Sequence, residues 1–284
     1  MVKSGYKPSV DHRDWDYIKN KAPHFAATGV PELPVTLGHT LSWIPNQNTT
    51  DTQYNIPPLP EGCTEYVQSY LSWLQTKVFR SPMDLEKLAH ANQNGGADIR
   101  DIFMVAIQLG WFKSFYNVTA QGTLDWFDAF KICLWLGKDE VRALSAGTPW
   151  FAPYEQIGSD GILPLIPTPP ELRYGFFGTI QSLFKRLFGS VPYSWHNWMI
   201  YDFETYNGTD YLLGISLQGK GYGDNGVHRI SREVINSLME MRYTNTFAGL
   251  QVASPTTTPF TVDLTWTEKV VSFVHMVANN YVLR

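Results

Sequence analysis

The apolar positions change period along the chain. Cys63, Tyr66, Val67, Tyr70, Leu71 and Leu74 recur at helical spacing within "GCTEYVQSYLSWLQTKVF", which predicts one helix with a single buried stripe. A second helix is predicted over "ADIRDIFMVAIQLG". Asp98 is placed to cap it, Ile99, Ile102, Phe103, Ala106 and Ile107 form its stripe, and Gly110 ends it. "DWFDAFKICLWLGKDEVRALSAGTP" also reads as helical, as two helices broken at Gly137 and stopping at Gly147 and Pro149, and "PWFAPYEQI" then reads as a strand. From residue 196 the period shortens. "WMIYDFETYNGTDYLLGISLQ" carries two apolar runs split by Asn207-Gly208, a hairpin signal, and "DNGVHRIS" repeats the Asn-Gly turn. A last helix is predicted over "TEKVVSFVHMVANNYVL". Residues 171–189 place Phe176, Phe177, Ile180, Leu183, Phe184, Leu187 and Phe188 on one helical face. The first 60 residues are proline-rich and read as extended and irregular. The first half is thus expected to be mostly helical and the second mostly strand.

Composition narrows the function classes. With 284 residues, 44% hydrophobic and 17% charged, the chain is long enough and apolar enough for a globular core. The net charge of −4, and the lack of a Lys/Arg cluster, argue against a nucleic-acid partner. The N-terminus lacks a signal-peptide apolar core and no apolar run is long enough to span a bilayer, so a cytoplasmic or virion-associated location is expected. Two cysteines outside any CxxC pair argue against a thiolate metal site, and no metal or other cofactor is expected.

Candidate chemistry centres on Cys63 and His196. On an apolar stripe a cysteine is ordinarily core, and Cys133, inside "FKICLWL", is read that way. Cys63 differs because it opens a helix. The unpaired N–H groups and partial positive charge of a helix start stabilise a thiolate and can receive a developing oxyanion. A nucleophilic cysteine needs a base within hydrogen-bond reach, and His196, ahead of "NWMIYDF", is the candidate, while His228 and His275 read as structural. The glycines at 219, 221, 223 and 226 imitate a dinucleotide loop, but "DNGVHRIS" reads as a hairpin and strand rather than the helix such a loop would open.

In order, several segments resemble papain-like cysteine peptidases, in particular a divergent microbial and phage-borne branch. "YKPSVDHRDWDY" is similar to an opening Pro-Ser-Asp-x-Arg-Asp-Tyr, "EGCTEYVQSYLSW" to the nucleophile helix and "GGADIRDIFMVAIQLGWF" to the helix that comes after it. "DEVRALSAGTPWFAPYEQ" is similar to a strand entry, "HNWMIYDF" to the histidine strand and "SLQGKGYGDNGVHRIS" to Asn-Ser-Trp-Gly-x-x-Trp-Gly. The resemblance implies an α+β, papain-like two-lobe fold, with a helical N-terminal lobe at about 40–130, an antiparallel β-rich lobe at about 131–250 and an active-site cleft between them. Residues 1–250 would form the peptidase domain and 251–284 a C-terminal extension with a helix. It also implies Cys63 as nucleophile, His196 as base and a third position on Ser216, where the family has asparagine. Pro57 occupies the family's oxyanion-hole glutamine position; Gln47 fits if residues 48–60 are an insertion, with Gln53 as the fallback. The expected activity is hydrolysis of peptide bonds in a protein or cell-wall peptide. The alternative, motivated by Ser216, is a catalytically weak or inactive structural component, for example of a phage particle. Residues 171–189 read first as a helix packed on the core, with docking on a protein partner or a membrane surface as the alternative.

Overall fold

The computed structural model describes residues 6–7, 32–89, 97–120, 123–166, 194–241 and 245–251. The helices expected at 171–189 and 267–283, and His275, lie outside these residues, as does most of the opening motif.

The described helices are α1 (Cys63–Thr76), α2 (Pro82–Ala89), α3 (Ile99–Gln108), α4 (Trp126–Leu136) and α5 (Arg232–Met239), with a short 3-10 turn at Ala152–Gln156. The strands are β1 (Tyr6–Lys7), β2 (Ala97–Asp98), β3 (Phe112–Asn117), β4 (Leu144–Trp150), β5 (Ser194–Tyr206), β6 (Thr209–Ile215), β7 (Val227–Ser231) and β8 (Asn245–Gln251). β1 and β2 form a small parallel pair. The other six make one antiparallel sheet in the order β3-β8-β4-β5-β6-β7.

Strand β5 organises the molecule. Successive side chains on a strand point to opposite faces. Trp198 and Ile200 enter one apolar cluster, with α4, α5 and Leu212. Met199 and Tyr201 enter the other, with the stripe of α1 and with Ile102, Phe103 and Ala106 of α3. A register irregularity between Ile200 and Asp202 then shifts the alternation, so Phe203 rejoins the first cluster. Helices therefore cover both faces of the sheet.

α1 and α3 form where the apolar spacing predicts. Every residue of the α1 stripe is buried. The Asp98 side chain accepts the Arg100 amide at 2.8 Å and caps α3. The β5–β6 hairpin turns on Asn207 and Gly208, at φ 50° and 78°. Positive φ at both central residues matches the twist of the strands, and glycine adopts it without a Cβ penalty.

Two expectations fail. Helix α4 stops at Gly137, and the chain beyond it does not continue as a second helix. Arg142 takes φ 60° and residues 144–150 form β4. All seven β4 residues are buried because the strand lies between β8 and β5 with helices on both faces. A strand covered on both sides shows no alternation and is indistinguishable from a buried helix by pattern alone. "PWFAPYEQI" is a strand only through Trp150 and then winds into the 3-10 turn, with Pro153 at its start. Helices α2 and α5 and strands β3 and β8 add to the elements expected from the pattern, so the halves are less segregated than it suggests.

Candidate active site

Cys63 is the first residue of α1. Gly62 precedes it as the N-cap, and no side chain caps the helix start. The Cys63 sulfur is fully buried and accepts the backbone N–H of Asn197 at 3.4 Å. Asn197 comes directly after His196 on β5, so the nucleophile candidate lies against the strand that carries the base candidate.

His196 is fixed from two sides. Its ring lies 4.7 Å from the Trp150 indole, centroid to centroid. Its Nε2 lies 2.9 Å from the backbone carbonyl of Ser216, on the segment after β6. A carbonyl only accepts, so Nε2 carries the proton and Nδ1 keeps the lone pair. That tautomer leaves Nδ1 able to accept a proton. Burial pushes the His196 pKa down to about 4, against the Ser216 bond and the more distant Glu155 charge, which act upward. The ring is therefore neutral at pH 7.

Ser216 reaches the imidazole through its main chain. Its own hydroxyl is buried and has no hydrogen-bond partner among the described residues. Asp202, an acidic residue of β5 that could have oriented the ring, is committed elsewhere. It accepts the amides of Leu37 at 2.8 Å, His39 at 2.7 Å and Phe203 at 2.7 Å.

Gln47 lies between the two halves of this arrangement. Its N–H donates to Leu217 O at 2.9 Å, beside Ser216. Its carbonyl accepts the Leu59 amide at 2.8 Å, and its side-chain Nε2 donates to Pro60 O at 3.0 Å, three residues before Cys63. Its Oε1 has no partner among the described residues. Residues 48–58 loop out and return, closed by paired bonds between Asp51 and Ile56, so that Leu59 meets Gln47. Gln53 is exposed on that loop, while Gln47 is buried.

Sequence reasoning missed a buried polar chain beneath the sulfur. Gln68 Nε2 donates to Ser145 Oγ at 2.9 Å, and Ser145 Oγ donates to Asn197 Oδ1 at 3.1 Å. The chain ties α1, β4 and β5 together through Asn197, whose backbone amide meets the Cys63 sulfur. Gln68 is one of several polar residues buried on α1, with Thr64, Glu65, Ser69, Ser72 and Gln75, so no sequence signal singled it out. Glu65 lies two residues after Cys63, and burial pushes its carboxyl up to about 8, with the Glu86 charge adding to the rise. It is thus uncharged at pH 7 and does not oppose a thiolate at the same helix end. His228, on β7, is fully buried against Trp198 and Tyr222. Neither ring nitrogen has a hydrogen-bond partner among the described residues, and burial holds its pKa near 3. Cys133 is buried in the α4 cluster.

No protein-family model matches the chain, and no curated protein matches it in sequence. Among solved structures the chain is similar to xylellain, a cysteine protease from Xylella fastidiosa. The identity is 13%, the match covers 88% of this chain and 97% of that one, and the TM-score is 0.59. A recombinant stem bromelain precursor matches at 11% identity over 89% of this chain and 78% of that one, with a TM-score of 0.53. A ragweed pollen cysteine protease in its proform matches at 12% identity over 82% and 74%, with a TM-score of 0.50. The fold, mixed helix with antiparallel sheet, is that of papain-like cysteine proteases.

Proposed function

We propose that the chain is a cysteine peptidase whose chemistry is carried by Cys63 and His196. The observation that supports this most is the meeting of helix and strand at one point. The Cys63 sulfur touches the amide next to His196, and the imidazole is held in the tautomer that leaves Nδ1 basic. In this reading Nδ1 takes the thiol proton as sulfur attacks the carbonyl carbon of a peptide bond. The oxyanion is received by the Cys63 amide and the Gln47 side chain. The proton then passes to the leaving amine, the C–N bond breaks, and water releases the acyl group from sulfur. Ser216 holds the ring through its carbonyl. The substrate is a peptide bond in a protein or a cell-wall peptide. The helical segment at about 40–130 and the β-rich segment at about 131–250 would act as two lobes with the substrate between them.

The burial of the sulfur favours a second feature. A fully enclosed thiol cannot meet a substrate, so the described state is a latent one that opens before catalysis. Two of the similar structures are themselves a precursor and a proform, which supports that view.

The test is a peptidyl fluoromethyl ketone with peptide mapping of the labelled protein. Once the chain is opened by acid or limited proteolysis, labelling is expected on Cys63 and not on Cys133, and it is lost in Cys63→Ser and His196→Ala. Labelling of Cys133 at an equal rate, or undiminished labelling in His196→Ala, would overturn the assignment. If neither the native chain nor acid-activated or proteolysed chain reacts, the reading of an inactive papain-fold component replaces it.

A further inference from the structure

A pocket of about 290 Å³ lies at the other end of α1, lined by His39, Leu41, Leu74, Lys77, Arg142 and Tyr201 among others. α1 has 14 residues, so at 1.5 Å per residue it separates this pocket from Cys63 by about 20 Å. The walls are held in place. Asp202 pins the 37–39 backbone to β5, and His39 Nδ1 meets Tyr201 O at 3.1 Å. Gln75 Nε2 donates to both Val141 O and Gly249 O at 2.8 Å, which fixes the end of α1 to the loop that carries Arg142.

The charge in this pocket is one-sided. Two cations line it, and no carboxylate does among the described residues. The Lys77 ammonium rests 4.6 Å above the Trp73 ring rather than on an acid. Arg142 Nε is buried and has no acceptor among the described residues. Both residues sit at positive φ, 59° and 60°, each just outside a regular element. Desolvation, and after it the Arg142 charge, hold the Lys77 pKa below its ordinary value, which places the two cations within each other's field. A buried charged donor left unmade is costly, so the arrangement lacks its acceptor.

We infer that this pocket binds a small organic anion, with its carboxylate or phosphate group held between Lys77 and Arg142 and its apolar body against Leu41 and Leu74. An arginine and a lysine are the usual receptors for such groups. The volume is about ten times a water molecule's share of the liquid and lies at the small end of ligand pockets, which suits a metabolite-sized molecule better than a bare ion. The inference does not depend on the peptidase reading.

Isothermal titration calorimetry and thermal melts on the full chain test it, with phenyl phosphate, succinate and inorganic phosphate as probes. Sodium chloride at equal ionic strength is the control. At least one organic probe is expected to bind saturably, to raise Tm, and to bind at least tenfold more tightly than inorganic phosphate. A response confined to phenyl phosphate assigns a phosphate ligand, and one confined to succinate assigns a carboxylate. Arg142→Gln and Lys77→Gln are each expected to weaken binding by tenfold or more, while leaving labelling of Cys63 unchanged. Arg142→Gln should not lower Tm in anion-free buffer, because no protein acceptor is lost. Chloride reproducing the effect, unchanged binding in both variants, or a Tm loss in anion-free Arg142→Gln would each overturn the proposal.

Discussion

His228→Leu offers a direct reading of how burial controls charge in this fold. His228 is fully enclosed, and its ring nitrogens have no hydrogen-bond partner among the described residues. For three strongly shifted groups among those residues, the folded and unfolded chains differ in bound protons between pH 4.5 and 8. His196 falls from 6.5 to about 4, His228 falls from 6.5 to about 3, and Glu65 rises from 4.5 to about 8. Stability rises with pH wherever the unfolded chain binds more protons than the folded one. Between pH 4.5 and 6.5 the two histidines are protonated only when unfolded, which contributes two protons to the unfolded side. Glu65 is protonated only when folded, which contributes one to the folded side. The net is one proton, so stability rises by about 1.4 kcal/mol per pH unit. Above 6.5 the histidine contribution is complete, and Glu65 alone makes stability fall by about 1.4 kcal/mol per unit towards pH 8. The maximum is expected near pH 6.5.

Leucine at 228 removes one of the two unfolded-state protons. The slope between pH 4.5 and 6.5 should fall from about 1.4 kcal/mol per unit to about zero. At pH 7 the variant should also gain about 1 kcal/mol, because a buried polar ring without a partner is replaced by an apolar side chain. Urea unfolding followed by tryptophan fluorescence, repeated at half-unit steps from pH 4.5 to 8, measures both effects. An unchanged slope in the variant would refute the reasoning, since it would mean that His228 takes up its proton in the folded state.

Two further variants probe the site itself. Glu65→Gln should abolish the loss of stability between pH 6.5 and 8, and should extend Cys63 labelling to higher pH, since no negative charge then develops two residues from the sulfur; melts and labelling rates across that range measure both. Ser216→Ala should change the Cys63 labelling rate less than about threefold and leave stability level or raised by about 1 kcal/mol, because the hydroxyl has no partner and the carbonyl remains; a tenfold loss in labelling would show that the hydroxyl orients the ring.

Local signals are legible in the sequence and long-range ones are not. The α1 stripe, the Asp98 cap and the Asn207-Gly208 turn each depend on residues a few positions apart, and each is found where the pattern puts it. β3 and β8 pair across more than 130 residues, with Ser114 opposite Leu250. Neither segment alternates cleanly enough to declare its partner. β4 escapes for the opposite reason, since complete burial erases the alternation that would mark it as a strand. Helices α2 and α5 have eight residues each, so their periodicity spans barely two turns.

The candidate site divides in the same way. Residue types point to Cys63 and His196 as candidates, because a thiol at a helix start and an imidazole on a strand are unusual enough to notice, while Gln47 is a candidate only through the family resemblance. The groups that hold them are largely main-chain. Ser216 meets the imidazole through a carbonyl, Asn197 meets the sulfur through an amide, and Gln47 is placed by the backbone of Leu217 and Leu59. Every residue carries a carbonyl and nearly every one an amide, so no sequence pattern distinguishes the few that matter. This also bears on the proposed reading, in which Ser216 stands where the resembled family has asparagine. A shorter side chain cannot reach as far, but a carbonyl on the same segment can accept the same ring N–H without any side chain. The requirement is then on the path of the chain from β6 to β7, which the turns at Gly219, Gly223 and Gly226 set through positive φ. At Gly226 a Cβ would lie 2.5 Å from Ile44, on the segment that delivers Gln47. A side chain there would press on Ile44 and on the Gly219 backbone, so the glycines that look like a loop motif in sequence act in the fold as close-approach points between the 44–47 segment and the turn after β6.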